Sequence, residues 1–579
     1  MRWTRLSLPT LAFLSAPLAA QTELAPPRDY ALTNVRIVIA PGRVVEQGTV
    51  LVRNGRIAAA GAAVTVPPGV AVLDLTGLTV YPGLIDAANS VGLPRVVAEG
   101  RGGRGAAPAA AAAGPSQPPP ELNPGRAAAD VFAATEGDLD GLRSAGITTV
   151  GLAFDGGIFP GRVSAVNLTG GDVAGMVVKS PVAQQVALGQ RRGGYPSTGM
   201  GAIAYVRQSF WDAQWDQRAA EAFQGNPAAA QRPGYDPEHR ALQPAATGAM
   251  PVWYAATSER DLRRIIGLAA ETGVRDYVLV GAQEGYRTVD ALKAAARPVI
   301  VGLSYPGLDR VSGRAFELHV APISGTDPAG AEADSVVARA LRANAATLAA
   351  AGIAIAFSGQ GLTPAQFRLG IAGVIEAGLP ADEALRAATL TPARLLGLEA
   401  ALGSVEPGKL ANLVVVQGDI FSRDAKIRHV FIEGLRFDIP EAAERGAGGR
   451  SGRGGGEGGG AAAGEWVGEM EGPNGTMSFT LTLRAEGSAL TGQLVTEMGP
   501  VELRGEQDGA EVSLRGTATP PGMNAIEIAI TASISENQLQ GTLDAAGMAT
   551  VPFNARRRGP GIPAPQPSET RTTGTGGRP

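Results

Sequence analysis

The chain has 579 residues, 44% hydrophobic and 18% charged, with 80 Gly, 42 Pro, 3 His and no Cys. At roughly 150 residues per domain this length allows three or four domains and a large buried core. A net charge of −4 offers nucleic acid or an anionic membrane no whole-chain attraction. The lack of Cys excludes thiolate catalysis, iron–sulfur clusters, Cys-type zinc sites and disulfides.

Residues 1–20 read as a secretory signal, with Arg2 and Arg5 ahead of the apolar stretch Leu6 to Leu18 and the small pair Ala19-Ala20 at the cleavage point. That stretch is too short to span a bilayer, and no later one reaches ~18 apolar residues, so a periplasmic or secreted protein is expected. Residues 30–80 alternate apolar and polar positions between Gly turns, the pattern of antiparallel strands. From 81 to 402, short apolar runs (TTVGLAF, DYVLVGA, PVIVGL, IAIAFSG) alternate with helical stretches (SERDLRRIIGLAAETG, SVVARALRANAATLAAAG, ADEALRAATLTPARLLG). Strands buried on both faces and joined by helices imply a parallel sheet, and over ~300 residues a (β/α)8 barrel. Within it, the Gly/Ala/Pro stretch 99–130 is expected to be a mobile insertion. Residues 403–440 return to strands and complete a small composite β-sandwich with 30–80. A Gly-rich linker (443–464) leads to an all-β domain (465–556), where LTGQL, LRGEQ and LQGTL suggest repeated hairpins in a small barrel or sandwich. The tail 557–579 is expected to be disordered. In an exported chain, the RGG-like pieces read as solvated linker rather than RNA-binding segments.

Val80-Tyr81-Pro82-Gly83-Leu84-Ile85-Asp86-Ala87-Ala88-Asn89-Ser90 stands at the first barrel strand. LRSAGITTV follows at 142–150, then GLP at 378–380, ADEALRAAT, TPARLLGL, and LGSVEPGKLANLVV at 402–415. Together these resemble the amidohydrolase superfamily over most of residues 30–438; that family's first strand reads V-x-PGLID-x-H-x-H. GIFPGRVSAVNLTG resembles its exported, imidazolonepropionase-related branch. The resemblance implies hydrolysis of carbon–nitrogen bonds in amides and cyclic amides, using zinc or another divalent metal. It places the strand-one His pair at Ala88 and Ser90, two later family His at Ala255 and Gly281, and the metal-binding, proton-shuttling Asp at Gln360.

An HxH pair works because alternate strand residues face one side and can grip one metal. Ala and Gly cannot ligate through a side chain, Ser and Gln are weak ligands, and catalytic zinc keeps about three N, S or carboxylate ligands. The inherited metal motif is therefore degenerate, and no cofactor is expected. His239 (RPGYDPEHR, taken as a polar loop), His319 (FELHVAP) and His429 (RHVFIEG) stand apart in the expected architecture. Lys179, Lys293, Lys409 and Lys426 serve a carboxylated-lysine bridge poorly: Lys409 belongs to the EPGK turn and Lys179 to a segment expected to lead a helix. For metal-free chemistry, Asp86 and Ser358 are weak candidates, with Glu284 and Asp155 near strand ends. Ser358 has no His placed as its base and no G-x-S-x-G elbow, while Asp86 reads as structural. The Gly runs lack the Lys-Ser/Thr ending of a phosphate loop. The expectation is an exported amidohydrolase-like scaffold without its metal, which binds an unknown small molecule or serves as a non-catalytic subunit beside an active paralogue. The alternative is an active amidohydrolase with an unrecognised or metal-free site. Nucleic-acid partners are not expected; oligomerisation is open.

Overall fold

The computed structural model describes residues 29–94, 122–189, 195–229, 231–305, 328–440 and 462–557, the last apart from short stretches between its strands. The expected signal segment, most of the 99–130 insertion, most of the 443–464 linker, the tail beyond 557 and His319 lie outside the described residues. The chain divides into a first unit (1–102 with 106–445) and a second (103–105 with 446–579).

Strands of the first unit follow the alternation of the sequence. They begin with β1 (Tyr30–Ala40), β2 (Arg43–Arg53), β3 (Arg56–Gly61), β4 (Ala71–Asp74) and β5 (Thr79–Pro82). Next come β6 (Leu84–Asn89), β7 (Ile147–Leu152), β8 (Gly161–Asn167), β9 (Val177–Ala187), β10 (Val252–Ala256), β11 (Tyr277–Gly281), β12 (Val299–Gly302) and β13 (Ile355–Ser358). β14 (Leu413–Gln417), β15 (Lys426–Ile432) and β16 (Leu435–Asp438) finish the unit. The outer strands form one sheet, β16-β15-β14-β5-β1-β2-β3, with β4 also beside β1. It is one hydrogen-bonded sheet that folds over its own core of Leu32, Ile37, Val50, Leu413, Val415 and Phe431, Tyr30 of β1 meeting Phe431 of β15 at 5.5 Å.

β6 to β13 form the second sheet, in sequence order. Its strands read as unbroken buried runs, every residue of β6 and β7 being covered, because one face meets the barrel interior and the other the helices. The expected (β/α)8 pattern needs one correction: β8 runs antiparallel to both β7 and β9, so seven strands run one way and one runs against them. The cause is connection length. A parallel crossover takes about a dozen residues or more, and 153–160 and 168–176 leave no room for one on either side of β8. The seam between β13 and β6 is drawn together by Ser358 Oγ, which donates to the Ala88 carbonyl at 2.6 Å, and by Gly359 N, which donates to Asp86 Oδ1 at 2.9 Å. Ile85, Val163, Trp253, Val278, Ile300 and Ala356 pack among the inner-core residues.

Helices cover the outside. The helix Glu259–Thr272 shows the local logic: Ser258 caps it by accepting from Asp261 N at 3.2 Å, Leu262, Ile265, Leu268 and Ala269 are buried, and Gly273 ends it at φ +75°. Three further expectations change here. His239 sits in a helix, Pro237–Ala246, whose N-cap Asp236 accepts from Glu238 N and His239 N; Pro237 favours a helix start rather than a loop. Lys179 leads no helix but lies in β9. The end of the 99–130 stretch is ordered, since Leu122 is buried and pairs with Phe159, and Ala127 pairs with Arg162. No helix among the described residues is long and apolar enough to cross a membrane.

In the second unit, β17 (Gly464–Gly472), β18 (Gly475–Glu486), β19 (Ala489–Thr496), β20 (Gly499–Asp508), β21 (Glu511–Ala518), β22 (Ile526–Ser535), β23 (Gln538–Ala545) and β24 (Ala549–Arg557) form a closed antiparallel barrel. β24 returns to β17, which leaves no open sheet edge. The glycines of LTGQL, LRGEQ and LQGTL (Gly492, Gly505, Gly541) lie where a Cβ would collide with the carbonyls of Thr482, Ser513 and Thr531 on neighbouring strands. Order begins before the expected end of the linker: Ala462 is buried, and its N–H donates to Gln507 Oε1 at 3.0 Å. It also runs to Arg557, the first residue assigned to the tail, whose guanidinium lies 4.7 Å above the Trp466 ring.

Candidate functional site

The strands of the barrel deliver their C-terminal ends to a cavity of about 390 Å³. Ala255 arrives at the end of β10, Gly281 at the end of β11, and Ser358 and Gln360 at and just beyond the end of β13; Asp155 lines it from the turn after β7. Four of the expected positions and Asp155 therefore share one space. Ala88 and Ser90 do not line it. Ala88 is buried in the inner core, and Ser90 lines a neighbouring cavity of about 670 Å³ with Asn89, Asp138 and Leu362; Asp155 borders both cavities. Simple alternation would have kept 88 and 90 on one face. The pairing of β6 with β7 is irregular between Asp86 and Asn89, and β6 ends at Asn89.

Asp86 lines neither cavity. It is fully buried and accepts from Asn89 Nδ2 at 2.7 Å, Gly359 N at 2.9 Å and Ala88 N at 3.3 Å, fastening the first barrel strand to the turn after the last. Burial pushes its carboxyl up to about 7, against those three hydrogen bonds, which favour the charged form. Ser358 spends its proton on the Ala88 carbonyl and accepts from Gln360 N at 3.2 Å, a seam contact rather than a nucleophile facing a base. Glu284 Oε2 accepts from Glu259 N at 2.8 Å at the start of the helix Glu259–Thr272.

The family's metal can be tested against the donors. Of the mouth-lining positions, Ala255 and Gly281 have no ligating side chain and Gln360 offers only an amide. Asp155 and Asp261 are the carboxylates among the described lining residues. Asp261 is already engaged by Ser258 and by Arg264 Nη1 at 3.1 Å. Among the described residues, no three His, Cys, Asp or Glu side chains are grouped to hold a metal. His239 Nδ1 pairs with Asp216 at 2.8 Å, and His429 Nδ1 with Asp438 at 2.6 Å; burial pushes the His429 imidazole down and Asp438 pulls it back up. Lys409 Nζ donates to the Leu402 carbonyl at 3.1 Å in its turn. These residues do not fit a catalytic zinc. The backbone agrees: Gly281 has φ +102°, and a Cβ there would lie 3.1 Å from both the Ala256 carbonyl oxygen and Thr257 Cγ2, so histidine at this position would be strained.

Several mouth residues escaped the sequence analysis. Gln185 is locked to the Phe154 backbone, accepting from its N–H at 2.8 Å and donating to its carbonyl at 2.7 Å. Gln283 Nε2 donates to the Ser304 carbonyl at 3.3 Å. Trp253 lines the cavity at 1% exposure, and its buried Nε1 has no acceptor among the described residues. The signal was period two: Trp253 and Thr257 flank Ala255 by two residues, and Gln283 follows Gly281 by two.

Residues 327–439 match the amidohydrolase family model. The fold resembles an amidohydrolase from Thermotoga maritima MSB8 at 23% identity and TM-score 0.57, over 71% of this chain and 100% of that one. Molinate hydrolase (15% identity, TM-score 0.42, 72% of this chain and 96% of that one) and phenylurea hydrolase B (17%, 0.41, 71% and 97%) are more distant. No curated protein matches the sequence. The match is thus confined to residues 327–439, while the first unit as a whole carries an amidohydrolase-like fold.

Proposed function

We propose that this chain is an exported amidohydrolase-family protein whose barrel mouth binds a small molecule without metal-dependent hydrolysis, either alone or as a non-catalytic subunit beside an active paralogue. One observation carries the proposal. The mouth positions that the family resemblance assigns to metal ligands are Ala255, Gly281 and Gln360, and the left-handed backbone at Gly281 disfavours the missing histidine. Removing ligands while keeping the cavity leaves a binding site without the machinery to activate water. Export rests on the N-terminal pattern of Arg2, Arg5 and Ala19-Ala20.

The test is elemental analysis of protein purified from zinc- and manganese-supplemented medium, with turnover of amides, lactams and dipeptides measured on the same sample. The expected result is no stoichiometric metal and no turnover. The double variant Ala88→His with Ser90→His should stay inactive as well, because the roles at Ala255, Gly281 and Gln360 are still unfilled. About one tightly held metal per chain, or metal-dependent turnover by the double variant, would overturn the proposal.

A further inference from the structure

The barrel has another cavity, of contrasting chemistry, at its opposite end. Its volume is about 510 Å³, and it lies at the N-terminal ends of β12 and β13, where Pro298 and Ala354 immediately precede the strands. Lys293, Arg297 and Arg394 line it, and no Asp or Glu is among the described lining residues. The mouth is the reverse, lined by Asp155 and Asp261 with no Lys, Arg or His among its described residues. Elsewhere on this unit cations find carboxylates: Arg207 pairs with Glu271, Arg263 with Glu259 and Arg423 with Glu376. Lys293 and Arg394 are exposed and have no hydrogen bond or ion pair among the described residues. Arg297 is held in place: its Nε donates to the Ala295 carbonyl at 3.3 Å, and its guanidinium lies 5.7 Å from the Tyr277 ring centre. Lys293 and Arg394 also stand in the last turns of the helices Val289–Ala295 and Leu390–Leu395, where each favours its own helix end. That role does not require a shared cavity, nor does it bring Arg297 into one in a chain whose net charge is −4. Concave walls of low dielectric focus the field of such a trio and draw in anions.

We propose that this cavity binds an organic phosphate monoester. Such a group carries roughly −1.5 to −2 charge and three strong acceptor oxygens, a match for three cations, whereas a carboxylate brings one charge and two oxygens. Two planar guanidinium forks and one compact ammonium are the side chains that recognise phosphate. Leu292, Ala296, Pro298 and Ile353 offer an apolar wall to the organic body, and the volume is that of a small-molecule site rather than of a bare ion.

Titration calorimetry on the full chain compares phenyl phosphate, inorganic phosphate, benzoate and phenol. Phenyl phosphate should bind about tenfold more tightly than benzoate or inorganic phosphate, since each lacks one charge-assisted contact or the apolar one, and phenol should not bind. Its affinity should fall with added salt and rise between about pH 5 and about pH 7, as the second phosphate proton leaves. Lys293→Gln and Arg394→Gln, both at exposed positions, should each weaken phenyl phosphate about tenfold, and the double variant should abolish binding. Arg297→Lys should weaken it several-fold, because the charge stays while the fork is lost. Arg218→Gln, an exposed cation outside the cavity, should change nothing. Vesicles containing phosphatidic acid separate the two sources of the group: co-flotation that the double variant loses assigns the phosphate to a lipid headgroup, and phenyl phosphate binding without co-flotation assigns it to a soluble ester. Equal affinity for benzoate and phenyl phosphate would overturn the proposal. So would a double variant that binds phenyl phosphate as the wild type does, even with a lowered melting temperature, because the cations would then serve only their helix ends.

Discussion

Each unit is built on an eight-stranded barrel, and each barrel holds a buried tryptophan in the opposite state. In the second unit, Trp466 Nε1 donates to the Ala462 carbonyl at 2.9 Å, and Arg557 covers the ring. In the first, Trp253 is as deeply buried but its Nε1 has no partner among the described residues. Topology explains the contrast. An antiparallel meander returns each strand by a hairpin, so its interior can be filled by alternating side chains such as Phe479, Leu481 and Leu483. A largely parallel barrel gathers most strand ends and their loops at one mouth, where a cavity survives and polar groups stay available.

The largest expected effect tests the packed side of that contrast. Residues 462–557 expressed alone should melt cooperatively, and Trp466→Ala should cost about 3–5 kcal/mol and abolish that transition. A cooperative melt unchanged by the substitution would show that the closure around Trp466 is not what stabilises this barrel. Trp253→Phe in the full chain should move stability by less than about 1 kcal/mol, because it removes a donor that has no partner. A loss as large as that of Trp466→Ala would erase the contrast.

The second effect concerns the seam at Asp86. Its folded pKa of about 7 lies above the ordinary 3.8, so the fold favours the protonated form. The stability from this group is full below about pH 4 and is lost as pH rises through about 7. Thermal melts of wild type and Asp86→Asn across that window should cross, with wild type favoured on the acid side and the variant relatively favoured above neutrality. Parallel profiles would show that Asp86 titrates normally.

The smallest concerns Gly281. Gly281→Ala should cost on the order of 1–2 kcal/mol through its left-handed φ alone, and Gly281→His no less. A neutral Gly281→His variant would mean that the mouth still accepts the residue whose absence underlies the proposed function.

Much of this was legible in the amino-acid order. Buried apolar runs separated by amphipathic helices specify a barrel, because a strand covered on both faces has no polar side to show. PGLID and LGSVEPGKLANLVV marked where the barrel begins and where the chain re-enters the outer sheet. The Gly of LTGQL and its repeats recorded close strand approach in the second barrel. The side-chain chemistry at Ala255 and Gly281 was equally visible, since alanine and glycine cannot ligate wherever the fold puts them. Other features depend on contacts between residues far apart in sequence, which no local pattern encodes. The reversal of β8 follows from how its two short connections close. The separation of Ala88 from Ser90 follows from an irregular pairing with β7, the role of Asp86 from Gly359 some 270 residues away, and the orphaned Trp253 N–H from what the barrel leaves beside it. Residue chemistry determined which side chains are offered to this mouth; the tertiary arrangement decided which of their groups remain free in it, because only packing settles which donors and acceptors are already spent.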